Sequence, residues 1–526
     1  MGSHSIGRKQ NLKARSAEYL PDRYLQLNHT LKTQTLLYSQ QTIIFMRIII
    51  LGFVFLASVK FTFSQNCDCR SEFLGVKAYM EKNHPGFNSD IKSPEEPSYK
   101  KFTDELLSQV ENDKTGKYCL VYLKRYIRFL KDHHSNFEGF TRPPVNESNP
   151  DSLKAFLASP FFRNTERMTI DSAAIVKSLR NSDPNGIEGV YITPDTVYTI
   201  AVFKNSNTMR DYAGVVLASR TKTWQPGQVK MEILKKTDGG YEVLSYLRNH
   251  SLNYQEWYPP TNNFSLPGWR KIVPAAVVTN SAKISNDLIS FKLLDSQTSM
   301  VSIRSFSGQF SRELDSAYKK IIPEIKKYPS LIIDVRNNGG GSDNNYGALM
   351  PLLYTDTIRN DFVELFYTED NLKAYEKMRD EAKANPQQYG KNGYLSWEYR
   401  INQMKQNTPG SFFPISAQNS FSTYKINNGN PVKIAILYNR NCASSCEQLL
   451  LDAAFSKKVK LVGENSGGYI AYGNVMSVKT PCGNNLYWTT TRKNNDRKYE
   501  FVGIEPHVKI PASETDWVEY TRRLLQ

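Results

Sequence analysis

The 526-residue sequence has no evident internal repeat and no low-complexity tract. It has no Arg/Lys block interleaved with stacking aromatics, so nucleic acid is not an expected partner despite a formal net charge of +16. Part of that charge is N-terminal, where residues 1–64 carry eight basic side chains against Glu18 and Asp22. The remaining basic balance suits an anionic envelope or acidic peptide ends. The apolar run inside residues 46–64 is too short for a convincing membrane span, so no stable membrane insertion is expected once that segment is removed. Cysteine is scarce, six in all, and the spacings match no zinc site. No metal or other cofactor is expected. Histidine is almost as scarce, at seven, which narrows any search for a base.

What is present reads as an ordinary globular chain, 40% hydrophobic and 22% charged, long enough for two or three domains. Residues 46–64 have a short basic start, an apolar run and small residues Thr62 and Ser64 before Gln65, the pattern of a secretory signal. Residues 1–45 are then an upstream extension outside the mature protein, with a signal anchor bearing a cytoplasmic tail as the alternative. Export, to a periplasm or the extracellular space, is the expected localisation. All six cysteines follow the signal, and an exported compartment permits disulfides.

Residues 65–145 read as a helical segment, with Phe102, Leu106, Leu107 and Val110 on one face and Leu120, Leu123, Ile127 and Leu130 on another. Residues 146–185 read as a linker. Short β-like runs separated by Gly, Asn and Asp fill residues 186–265 and predict an inserted β-rich domain. The core is expected over 266–526, with a strand at 300–306, a helix at 310–322 that Pro323 bends or ends, and a strand at 331–335. Residues 344–431 interrupt it as a long insertion, helical at 370–384. That insertion forms either a lid or substrate wall, or a peripheral excursion.

Three stretches carry chemistry. An apolar strand, 434–438, leads into Asn-Cys-Ala-Ser-Ser-Cys-Glu-Gln at 441–448, and a helical pattern leads out. A serine on such a turn is either a helix cap or an exposed nucleophile beside a helix N-terminus. The other two stretches are Leu-Ile-Ile-Asp-Val-Arg-Asn-Asn-Gly-Gly-Gly-Ser at 331–342 and Glu-Asn-Ser-Gly-Gly at 464–468. Together they resemble the serine peptidase family of C-terminal processing (tail-specific) proteases and the tricorn protease core, over most of residues 295–510. The resemblance implies an α/β, crotonase/Clp-protease-like β–α core acting on peptide or protein substrates. With Glu447 on the motif's glutamate, Ser444 is the matching nucleophile. The oxyanion hole is then the amide of Ser445 plus one from the 339–341 loop, with Gly339 and Gly340 the leading candidates. Cys442 and Cys446 bracket Ser444, so a bridge from either would stiffen the turn.

One departure matters. The processing proteases place a lysine base after Gly-Glu-x-x-x-Gly, and here Tyr469 follows Gly468. The tricorn branch instead uses a histidine from the N-terminal segment, held by a glutamate near the end of the core. His133 and His134 remain as candidates, and His134 occupies the Asp-x-His position; the alternative is a core histidine on a helix face. Glu500 is the matching carboxylate, with Glu505 as fallback. A histidine base predicts activity that climbs between roughly pH 6 and 8. Loss of the lysine also fits non-catalytic, ligand-binding or scaffold members of the same superfamily.

Overall fold

The apolar runs near residues 300, 332, 435 and 461 are too continuous for a sheet with a wet face, and each becomes a strand covered on both sides. A computed structural model describes residues 67–258, 264, 266–274, 287–416, 420–511 and 513–526. The expected leader, residues 1–64, lies outside the described residues. The core sheet has six strands in the order Val508–Lys509, Val459–Gly463, Lys433–Tyr438, Ser330–Asp334, Thr298–Ile303, Ile289–Leu293. Neighbours are parallel except the last pair, an antiparallel hairpin.

Alternate residues of these strands feed two cores, as a period of two requires. Val301, Ile303, Leu331, Ile333, Ile434 and Ile436 pack under the helices Ser311–Ile325 and Ser445–Ala453 through Leu314, Tyr318, Leu449 and Leu450. Met300, Ile332, Ala435, Leu437 and Val462 face the other way, against the C-terminal helix Trp517–Arg523. Pro323 neither ends nor interrupts the first helix, which runs two residues past it to Ile325. So near the C-terminus, the hydrogen bond that proline forfeits is one of the last in the helix.

A second, antiparallel sheet runs in the order Asn136–Glu138, Asn485–Lys493, Val363–Phe366, Phe412–Pro414, and Tyr472–Lys479 also pairs with Asn485–Lys493. Two of its strands, Val363–Phe366 and Phe412–Pro414, come from the 344–431 insertion, which is therefore built into the protein rather than peripheral to it. The helices Cys69–Asn83, Pro97–Asn112 and Cys119–Phe129 share one core with this sheet and with the insertion, through Phe73, Tyr126, Tyr375, Met404 and Trp488. Disulfides Cys67–Cys482 and Cys69–Cys119 tie the same parts covalently.

The β-rich region is a seven-stranded antiparallel sheet that starts at Gly189 and closes with Arg270–Val273 pairing to Gly189–Ile192. Its boundary therefore falls beyond residue 265, because the last strand comes from sequence that reads as the start of the core. The stretch 146–185 is not a bare linker either: Pro150–Ala158, Pro160–Arg163 and Ser172–Leu179 are helical, two of them capped by Asn149 and Asp171 side chains. Among the described residues no helix is long and apolar enough to cross a membrane.

Candidate active site

Strand Lys433–Tyr438 ends in a tight turn whose last residue, Ser444, caps the helix Ser445–Ala453 with φ 56° and ψ −120°. A non-glycine residue held there costs about 1–3 kcal/mol and persists only when its surroundings over-determine it. They do. Cys442 is bridged to Cys446 across the turn. The buried Glu447 carboxylate accepts hydrogen bonds from Ser444 N (3.0 Å), Tyr469 N (2.7 Å), Gly468 N (2.7 Å) and Ser466 Oγ (2.6 Å). Burial raises the Glu447 pKa, against the pull of those four donors. The glutamate of the motif is thus the post to which the serine turn and the 466–469 turn are both tied.

The glycine loop after Ser330–Asp334 lies against this turn. Asp334 is buried and paired to Arg336 (2.9 Å) and Arg304 (3.1 Å), which fixes the loop's start. Gly340 has φ +87°, and a Cβ there would sit 2.4 Å from Ala443 O and 2.8 Å from Ser445 N, so only glycine allows the approach. The Ser445 amide, in the first turn of its helix, has no acceptor among the described residues. Gly340 does not offer a second free donor, since its N–H is taken by Asn338 Oδ1 at 2.9 Å. The loop amides without an acceptor among the described residues are those of Gly339 and Gly341, and Gly341 lines the same cavity as Ser444 and Ser445.

His134 Nε2 stands 3.1 Å from Ser444 Oγ, although 310 residues separate them in sequence. The sheet makes this contact: Asn136–Glu138, just after His134, pairs with Asn485–Lys493. Burial lowers the His134 pKa, with the Asp132 charge opposing and Lys493 adding to the fall. Its Nδ1 is buried without a hydrogen bond, and the nearest carboxylate is Asp132, with Oδ1 at 4.0 Å. Asp132 accepts from His134 N (2.8 Å), Ser135 Oγ (2.6 Å) and Thr489 Oγ1 (2.7 Å) and meets His84 Nε2 at 3.0 Å. Burial works against its ionisation, but the His84 hydrogen bond and charge, with those of His134 and Ser135, hold the carboxyl below its ordinary range.

Glu500 is not hydrogen-bonded to His134. Its carboxylate accepts from the backbone of His133 (3.0 Å), Ile470 (3.0 Å) and Ala471 (2.9 Å), and comes to 3.9 Å from His133 Nδ1. Burial, then the Asp132 charge, pushes its pKa up to about 8. The carboxylate that comes within 4.0 Å of Nδ1 is that of Asp132, two residues before His134, and Glu500 instead binds the His133 backbone. Glu505 is exposed. Neither His84 nor Asp132 was expected as part of this arrangement, though the Asp-x-His spacing carried a signal for the aspartate. Tyr469, at the lysine position, stacks on His133 with centroids 4.1 Å apart and meets His134 edge-on at 5.9 Å.

Serine turn, glycine loop and the 464–468 stretch all fall inside one family's segment. Residues 297–510 match peptidase family S41. The S41 segment takes in five of the six core strands and makes this core that of a serine-type peptidase. His134 and Asp132 lie outside it and join it from the N-terminal helical region. No curated protein matches the sequence. Among solved structures, the chain is similar to a putative peptidase from Parabacteroides merdae (14% identity, 87% of this chain and 97% of that one, TM-score 0.39). It is similar to mature CPAF complexed with lactacystin (13%, 87% and 97%, TM-score 0.45) and to the photosystem II D1 C-terminal processing protease (14%, 87% and 97%, TM-score 0.34).

A cavity of about 480 Å³ opens on Ser444. One wall is Ser444, Ser445, Tyr469 and the start of Tyr472–Lys479; the facing residues Tyr375, Trp397, Arg400 and Ile415 come from the insertion. The long insertion is a wall of the cavity.

Proposed function

We propose that the protein is an exported serine peptidase that cleaves peptide bonds through an acyl-enzyme, with Ser444 as nucleophile and His134 as base. The observation that carries this is the 3.1 Å contact between His134 Nε2 and Ser444 Oγ at the end of an S41 core. Ser444 Oγ attacks the carbonyl carbon while its proton passes to Nε2. The oxyanion lies between the Ser445 amide and a free amide of the glycine loop. Collapse expels the amine, which takes the proton from His134, and water activated by the same imidazole frees the acid. Asp132, at 4.0 Å, stabilises the transient imidazolium by charge, and its bond to the His134 amide fixes the segment. Glu500 acts one step further out, as a positioning residue that holds the His133 backbone.

The base must be neutral, so kcat/KM rises through the His134 pKa as pH increases. Because burial lowers that pKa below the ordinary imidazole value, the limb lies on the acid side of about 6.5 and the plateau is reached by neutrality. This moves the rise below the pH 6–8 window that an unperturbed imidazole predicts. A pH profile on a short peptide checks it; a limb centred above neutrality, or one that survives His134→Ala, counts against a histidine base.

Export is supported by the signal-like segment 46–64 and by three disulfides that pair every described cysteine. N-terminal sequencing of protein recovered outside the cytoplasm is expected to begin near Gln65. Recovery of soluble cytosolic protein that retains residues 1–64 would contradict it.

A further inference from the structure

The insertion brings to the cavity a cation that forms no ion pair with a carboxylate among the described residues. Arg400 lies on the helix Tyr394–Lys405 and shares the cavity with Ser444. Its Nη1 donates to Gln403 Oε1 at 2.7 Å and to the Ile415 carbonyl at 2.9 Å. Those two bonds fix the guanidinium and leave Nε and Nη2 without a protein acceptor among the described residues. Arg400 is half-buried, next to Trp397 and Ile415 on the same wall, where water screens it less than on an open surface. The other cationic side chain of the cavity differs. Lys493 is ion-paired to Asp361 at 2.8 Å and hydrogen-bonded to Gln448. Asp343, on the glycine-loop side, is exposed and forms no ion pair with Arg400.

We propose that Arg400 is a specificity residue that binds a carboxylate of the peptide substrate. A planar guanidinium with two free donors fits a carboxylate better than any other peptide group. Arg400 and Ser444 line one cavity of about 480 Å³, so the carboxylate would sit in the same cavity as the scissile bond. It is either an Asp or Glu side chain or the free C-terminus of the peptide. The inference rests on the peptidase reading of Ser444, but its test does not need turnover.

The experiment measures binding of fluorescent peptides to Ser444→Ala protein, which cannot form the acyl-enzyme. Peptides are compared in matched pairs, Asp against Asn within the sequence and free acid against amide at the C-terminus. One of the two pairs is expected to differ by about tenfold or more, the scale of a charge-assisted hydrogen bond, and the pair that differs names the source. Adding Arg400→Glu is expected to reverse that preference, and Arg400→Gln, which leaves the Gln403 and Ile415 neighbourhood uncharged, to abolish it. Equal affinity within both pairs, no binding of any peptide, or a preference unchanged in Arg400→Gln overturns the proposal. Failure of the peptidase reading looks different: Ser444 in wild-type protein would not react with a fluorophosphonate, whatever the binding preference.

Discussion

Ser444→Ala and His134→Ala are each expected to lower kcat/KM by roughly 10⁴-fold or more, and the double variant to be little worse than either alone. The two side chains act as one unit: the hydroxyl is inert until Nε2 removes its proton, and the imidazole has nothing to deprotonate without it. The 3.1 Å contact already has hydrogen-bond length, so no rearrangement is needed before attack. Folding is not at stake in Ser444→Ala, since the most that goes with the hydroxyl, besides its contact with His134, is one helix cap worth about 0.5–2 kcal/mol. Relief of the strained φ/ψ is not expected either, because the Cys442–Cys446 bridge and Glu447 hold the turn whatever its side chain. Losses of only a few-fold, measured with matched circular dichroism, would mean another group serves as base.

Asp132→Asn is expected to cost about 10²–10⁴-fold in kcat, whereas Glu500→Gln loses about tenfold or less. Asp132 carries the charge nearest the imidazolium and is held ionised by its partners. An amide of the same shape keeps the packing but removes that charge. Because Asp132 raises the His134 pKa, its loss also shifts the pH limb further to the acid side, a change that simple unfolding would not produce. Burial pushes the Glu500 pKa up to about 8 and its carboxylate faces backbone amides rather than His134, so removing its charge is expected to matter less than removing that of Asp132. The acceptor oxygen of a glutamine can still serve the Ile470 and Ala471 amides. Equal damage from both substitutions would restore Glu500 as the direct partner of the histidine.

The parts of this site legible in the sequence are those built locally. Residues 434–450 read as strand, turn and helix because an unbroken apolar run flows into a small polar turn and then a 3.6-residue pattern, and the structure has them so. The glycine loop is legible for a similar reason, since three glycines in a row mark a close backbone approach that Gly340 makes. The carboxylate beside His134 was not legible, because Asp132 and Glu500 both lie near the base and only tertiary packing decides which faces Nδ1. Sheet partners hide in the same way. Arg270–Val273 carries no sign that it pairs with Gly189–Ile192, and the insertion strands give none that they extend Asn485–Lys493. The role of the insertion followed only from that pairing, which swings Trp397 and Arg400 toward Ser444.

The measurement closest to the central claim is the reaction of the folded, monodisperse protein with a fluorophosphonate, read by mass spectrometry of the labelled peptide. An activated serine is expected to take one label per chain, on Ser444, and His134→Ala to slow that labelling by orders of magnitude. No label on Ser444, or equally fast labelling without His134, would contradict the account; the first result would point to a non-catalytic, ligand-binding member of the superfamily.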